Sequence, residues 1–267
     1  MDVAGKVVVV TGGGGGIGSG IVEAFVEKGA KVALTDINLD YAKAEAARIG
    51  GETIALAHDV TSPESWAEVK AAVEAAFGPV DVLCNNAGVA LSFKPMETVS
   101  DAEFDRVMAI NVKGVFLGCK LFMAEMKARG SGHIVNTSSV NGLLPHGTFA
   151  VYSASKFAVT GLSEALALEL APHGVGVSIL YPGFTRSRMS EGQVPGLSDE
   201  QMAMLKSRMM EPIWLGRGVV KAVEENLLHI IPHPAHKPNL EARMDVLYAH
   251  YGEPAQPGYH DAPIAFK

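Results

Sequence analysis

Cysteine is scarce: Cys84 and Cys119 are the two in 267 residues. That is too few for a disulfide framework, and a reduced, cytoplasmic protein is the simpler expectation. Charge is also sparse, at 19% of residues against 48% hydrophobic, which excludes a disordered chain and leaves ample material for one sizeable core. The net charge is −7 and no Lys/Arg cluster occurs anywhere, so a nucleic-acid or anionic-membrane surface is not expected. No apolar run approaches the length of a membrane-spanning helix, and Met1 leads straight into a strand-like segment without a leader-like stretch. The partner to expect is a small molecule.

What is present is an alternation of strands and helices. Apolar runs occur at Lys6–Thr11, Lys31–Asp36, Thr53–His58, Asp81–Asn85, His133–Ser138, Val175–Tyr181 and His229–Ile231. They are continuous rather than alternating in polarity, which suits strands covered on both faces of a parallel sheet. Helix punctuation fills the gaps. Ser62-Pro63 reads as a cap followed by a first-turn proline, with Gly78 as the stop. Ser100-Asp101-Ala102-Glu103 and Ser198-Asp199-Glu200-Gln201 both fit capping boxes. The expected fold is α/β: a single doubly wound Rossmann-type domain over residues 1–267, with a seven-stranded parallel sheet flanked by helices.

Between the first strand and the first helix lies Thr11-Gly12-Gly13-Gly14-Gly15-Gly16-Ile17-Gly18. Glycines there let the backbone approach a pyrophosphate seated on a helix amino end. Five consecutive glycines leave the register open among Gly13/Gly15/Gly18, Gly12/Gly15/Gly18 and Gly12/Gly16/Gly18. Asp36 ends the second strand eighteen residues after Gly18. A carboxylate at that place accepts hydrogen bonds from both adenosine ribose hydroxyls and repels a 2′-phosphate. Ile37 and Asn38 follow, with no cation to offset the repulsion, so NAD is expected over NADP. His58-Asp59-Val60 closes the third strand at the same edge, where Asp59 and Val60 would meet the adenine.

Tyr152-Ser153-Ala154-Ser155-Lys156 opens a helix, and residues four apart share a helical face. A free phenol titrates near pH 10, and a nearby ammonium favours the phenolate. Thirteen residues before Tyr152 stands Ser139, just past the fifth strand, with Ser138 as a competing hydroxyl. Either could donate to a substrate oxygen as charge develops there. Asn85-Asn86-Ala87-Gly88 ends the fourth strand, and Asn111 sits inside a long helical stretch where asparagine is a poor former.

Taken together these motifs resemble the short-chain dehydrogenase/reductase family: Thr11-Gly12-x-x-x-Gly16-x-Gly18, Asn85-Asn86-Ala87-Gly88, Asn111, Ser139, Tyr152-x-x-x-Lys156 and Pro182-Gly183, in order across about residues 5 to 185. The resemblance selects the Gly12/Gly16/Gly18 register. It implies Tyr152 as acid/base, Lys156 lowering its pKa and binding ribose, Ser139 orienting the substrate oxygen, and Asn111 holding a relay water. Cofactor contacts are then expected at Gly12, Gly16, Ile17, Gly18, Asp36, Ile37, Asp59, Val60, Asn86, Ala87, Gly88, Tyr152, Lys156, Pro182 and Gly183. Thr185 or Ser187 would touch the nicotinamide carboxamide. The implied activity is NAD-dependent interconversion of a secondary alcohol and its ketone, in a homodimer or homotetramer.

The substrate lid is expected at about 187–215. Met189, Met202, Leu205 and Met209 make it apolar, which suits a hydrophobic, ring-bearing substrate or, equally, packing on the core. His146 is a further candidate for substrate contact. His229, His233 and His236 are not expected to bind a metal, because two prolines fix the backbone and no carboxylate or thiolate stands at ligand spacing. The tail from 252 to 267 is expected to be non-helical and to cover a partner subunit or the site. Two other classes compete: a catalytically silent nucleotide-binding protein, and a lyase or epimerase on the same fold.

Overall fold

The structure is a computed structural model, described here for residues 1–91, 93–187, 198–252 and 258. The strands are β1 Val7–Thr11, β2 Lys31–Asp36, β3 Thr53–Ala57, β4 Val82–Asn85, β5 Gly132–Thr137, β6 Val175–Leu180 and β7 His229–Ile230. Among the described residues they form one parallel sheet in the order β3-β2-β1-β4-β5-β6-β7, as expected for a doubly wound fold. The order reverses between β1 and β4, which opens a crevice at their carboxyl ends.

Strand residues alternate between two buried cores. Val8, Val10, Val32 and Leu34 face α1 (Gly16–Glu27) and α8 (Pro212–Glu225). Val7, Val9, Leu83 and Ile134 face α3 (Pro63–Phe77), α5 (Gly114–Arg129) and α6 (Ala150–Leu170). Period-two alternation between two apolar layers is why these strands lack a polar face.

The helix signals act as read. Ser62 accepts from the Ser65 N–H with Pro63 in the first turn of α3, and Ser100 and Ser198 form capping boxes with Glu103 and Gln201. These last two begin α4 (Asp101–Met108) and α7 (Asp199–Ser207). One expectation is corrected. Asp101–Arg129 is a continuous helical run long and apolar enough to cross a membrane by length and composition. Its Val115, Cys119, Phe122 and Met126 are buried against the sheet, and Glu103, Glu125 and Lys127 make ion pairs along it, as suits a core helix.

The chain divides into two compact units, Met1–Pro232 and His233–Lys267. The second contains α9 (Lys237–Ala249). The tail expected from 252 to 267 lies outside the described residues except for Gly252 and Gly258.

Candidate active site

The carboxyl ends of β1, β2, β4 and β5 deliver Thr11, Asp36, Asn85 and Thr137 to one edge. The turns after β1 and β4 are stitched together there. The Asn86 and Ala87 N–H groups donate to Thr11 Oγ1, each at 2.9 Å, and Asn86 Nδ2 donates to the Thr11 carbonyl at 3.0 Å. Gly12 and Gly16 take positive φ (66° and 56°), which other residues adopt at a cost. A Cβ on Gly12 would lie 3.0 Å from Ala87 Cα, and one on Gly18 would strike the Gly12 carbonyl. Gly12, Gly16 and Gly18 are thus positions where glycine is required. Helix α1 begins at Gly16 with no side-chain cap and no acidic residue in its first turn, so its amino end suits an anion.

Asp36 is held on both oxygens. Gly14 N–H donates to Oδ2 at 3.1 Å and Asn38 N–H to Oδ1 at 3.0 Å. Ile37 beside it is exposed, an apolar surface next to the carboxylate. The expected adenine contacts are more committed. Asp59 Oδ1 accepts from the Thr61 N–H and hydroxyl at 2.9 and 2.7 Å, which holds its carboxyl below the usual range. Val60 is buried, with its carbonyl accepting from Trp66 Nε1 at 3.0 Å.

The two neighbouring hydroxyls, Ser138 and Ser139, differ in their surroundings. Ser138 Oγ donates to the Lys156 carbonyl at 2.9 Å and lies 3.0 Å from Thr160 Oγ1, turned into the protein. Ser139 Oγ accepts from the Asn141 N–H at 3.1 Å, and its hydroxyl is the neighbour that opposes the upward shift of the Tyr152 phenol. Lys156 is buried, and its Nζ donates to the Thr137 carbonyl at 2.9 Å while lying 5.6 Å from the Tyr152 ring centroid. Burial pushes Lys156 down to about 8. The expected lowering of the Tyr152 pKa by the ammonium needs correction. Burial of the phenol raises it, and the contact with Ser139 is what opposes that.

Asn111 sits in a π-helical turn, Ala109–Lys113, between α4 and α5. Its Oδ1 accepts from the Val89 N–H at 2.8 Å, and its Nδ2 donates to the Val89 carbonyl at 2.9 Å and to Ser155 Oγ at 3.0 Å. The Asn111 side chain thus docks the loop after Gly88. Lys156 Nζ and Asn111 Oδ1 both approach Gly88, 3.5 and 3.3 Å from where its Cβ would be.

The Pro182 carbonyl accepts from Val140 N–H at 3.0 Å and from Ser139 Oγ at 3.4 Å. Thr185 is buried, with its hydroxyl on the Gly183 carbonyl at 3.3 Å, whereas Ser187 lies against Gly16. Phe184 and Arg186 pair through their backbones with Met210. Met202 and Met209 are buried; Met189 lies outside the described residues. His229 is engaged with the Tyr181 hydroxyl at 3.2 Å.

An aromatic column was not foreseen. Phe93 stacks on Phe149 with centroids 4.5 Å apart, Phe149 packs on Tyr152 at 4.6 Å, and His146 meets the edge of Phe93 at 5.5 Å. Phe149 precedes Tyr152 by one helical turn, the one signal available in sequence; nothing local marks Phe93.

The family description "short chain dehydrogenase" matches residues 6–197. This chain belongs to the short-chain dehydrogenase family of oxidoreductases. Among its relatives is the 3-alpha-(or 20-beta)-hydroxysteroid dehydrogenase of Mycobacterium bovis, 40% identical over 189 residues, covering 70% of this chain and 72% of the relative. Another is the NADP-dependent (R)-specific alcohol dehydrogenase of Lentilactobacillus kefiri, 38% identical over 188 residues, covering 68% and 74%. A short-chain dehydrogenase/reductase from Burkholderia phymatum, solved in complex with NAD, superposes with a TM-score of 0.84 at 28% identity, over 96% of this chain and 99% of that one.

Proposed function

We propose that this short-chain dehydrogenase interconverts a hydrophobic, ring-bearing secondary alcohol and its ketone, using NAD. The convergence of Ser139, Tyr152 and Lys156 at the carboxyl edge of the sheet, opposite Asp36, carries the proposal. Ser139 and the Tyr152 phenol flank the place of the substrate oxygen. In oxidation the alcohol's O–H proton passes to Tyr152; in reduction the phenol returns it to the forming alkoxide. Ser139 donates a hydrogen bond to that oxygen as its charge changes. Lys156, fixed on the Thr137 carbonyl, sets a positive charge beneath the phenol ring, and Asn111 holds the loop at Val89 that walls the site.

A bound nicotinamide supplies the hydride acceptor or donor. The residues fit such a dinucleotide: an uncapped helix amino end, glycines whose Cβ atoms would fill the loop, and a carboxylate pinned for a ribose diol. Asp36 favours a free 2′-hydroxyl, which is the support for NAD in a family that includes an NADP-dependent relative. The Phe93–Phe149 column beside Tyr152 and the hydroxysteroid relative support a ring-bearing substrate.

The test is an absorbance screen for NADH formation across aliphatic, aryl and steroid-like secondary alcohols, run with both cofactors. NADH should form in step with ketone, and Tyr152→Phe should abolish turnover while sparing dinucleotide binding. A preference for NADP, or for small polar polyols, would overturn the corresponding part. The same proposal takes the chain as a cytoplasmic homodimer or homotetramer. Exposed Phe104, Phe116 and Leu168 on α4, α5 and α6 support self-association, checked by sedimentation.

A further inference from the structure

A dinucleotide brings two phosphate charges, and the loop from Thr11 to Gly18 contains no lysine or arginine to meet them. Lys156 is buried and bound to the Thr137 carbonyl at the reacting end. A cleft beside the loop is lined by Gly15 and Gly16, by the carboxylates of Glu23, Glu45 and Glu211, and by two guanidinium groups, those of Arg48 and Arg186. The two are differently committed. Arg48 donates to Glu23, Glu45 and Ser19 at 2.8, 2.9 and 3.0 Å, which ties α1 to the helix Leu39–Ile49. Arg186 pairs with Glu211 at 3.1 Å, with both side chains about half exposed, and reaches the Lys206 carbonyl at a long 3.5 Å. An ion pair this open to water is weakly held and easily exchanged. The backbone that carries Arg186 also rests on the loop: Ser187 Cβ lies 2.8 Å from where a Cβ on Gly16 would be.

We propose that Arg186 is the cation that binds the cofactor's pyrophosphate, leaving Glu211 for the phosphate oxygens when a dinucleotide enters. The proposal rests on the dinucleotide reading above and goes further by naming the group that meets the phosphates. A guanidinium presents a planar fork of N–H donors that matches two phosphate oxygens at once. Glu211 is then a resident counter-ion that holds the side chain over the cleft and competes with the ligand.

The test is calorimetric titration of the full chain with ADP-ribose, which carries the pyrophosphate, and with adenosine, which does not. Arg186→Gln should weaken ADP-ribose about tenfold and flatten its salt dependence, while leaving adenosine unchanged. Arg186→Lys should restore part of the loss, and Glu211→Gln should keep or tighten ADP-ribose binding. Equal losses for the two ligands would mean a packing role and would overturn the proposal, as would an unchanged ADP-ribose affinity in Arg186→Gln. If the unaltered protein binds no ADP-ribose, the dinucleotide reading itself falls, an outcome distinct from the other two.

Discussion

Asn111 and Ser155 are joined by a 3.0 Å hydrogen bond between the π-helical turn and the second turn of α6. Ser155 Oγ donates in turn to the Tyr152 carbonyl at 2.7 Å, so the backbone that carries the phenol is fastened, through Asn111, to the loop at Val89. A π turn is uncommon in helices and often marks a functional position. Here it places an asparagine side chain, entirely buried, where it satisfies three groups at once.

Ser155→Ala leaves a buried amide proton of Asn111 without its acceptor and removes a donor from the Tyr152 carbonyl. Stability should fall by about 1–3 kcal/mol. If the link positions the phenol, kcat should fall about tenfold with KM little changed, and Ser155→Thr should recover much of it. Denaturant unfolding and steady-state kinetics separate the two effects.

Asp36→Asn keeps the shape and removes the charge opposite the expected ribose. Affinity for NAD should drop, and the ratio of NADP to NAD affinity should rise by about tenfold. Fluorescence titration with both cofactors measures the ratio. A ratio that does not move would show that Asp36 does not face the ribose.

Much of this site was legible because its signals are local. The glycine run, the Asp at the end of β2 and the Tyr152/Lys156 spacing each state a backbone geometry within a few residues. Ser139 was preferred to Ser138 only through its spacing from Tyr152 and the family resemblance, since neighbouring strand residues point to opposite faces and only packing shows which is inward. Three further features belong to tertiary structure alone. Phe93 meets Phe149 across more than fifty residues, Lys156 finds a carbonyl of β5, and the direction of the Tyr152 shift depends on how deeply the ring is buried. Helical periodicity also ran unbroken through Asn111, so the change of pitch there left no trace in the pattern.

Acid should weaken the fold in a defined window. Burial holds both His58 and His133 down to about 4, from an ordinary 6.5. Below pH 6.5 the unfolded chain takes up protons that the folded chain refuses, so stability falls as pH drops towards 4 and these two groups add no further loss beneath that. The full loss is roughly 3 kcal/mol for each. Glu103, held down to about 2 by Lys94 and Ser100, acts only below about pH 4.5. Urea unfolding between pH 6.5 and 5 therefore isolates the histidines. His133→Gln, which keeps a polar group towards Ser178, should make the slope there shallower, with His58 and His233 accounting for the rest; an unchanged slope would refute the assignment.

The role proposed for Lys156 in catalysis stands against its cost to stability. Burial lowers its pKa from 10.5 to about 8, so at neutral pH the folded protein carries a charge that the unfolded chain holds more readily. Such a group has stabilising weight only above its unfolded pKa, and that weight is lost as pH falls from about 10.5 to 8. At pH 7 the full penalty stands, roughly 3 kcal/mol, offset in part by the bond to the Thr137 carbonyl. Lys156→Met fills similar space without the charge. It should unfold at higher temperature than the unaltered protein, by about 2–4 °C per kcal/mol recovered, while turnover falls by two orders of magnitude or more. Calorimetric melting at pH 7 and pH 10 gives a second check, because the stabilisation should shrink as the higher pH neutralises the native ammonium. A variant that is both less stable and fully active would mean that Lys156 is a structural residue with no part in the chemistry.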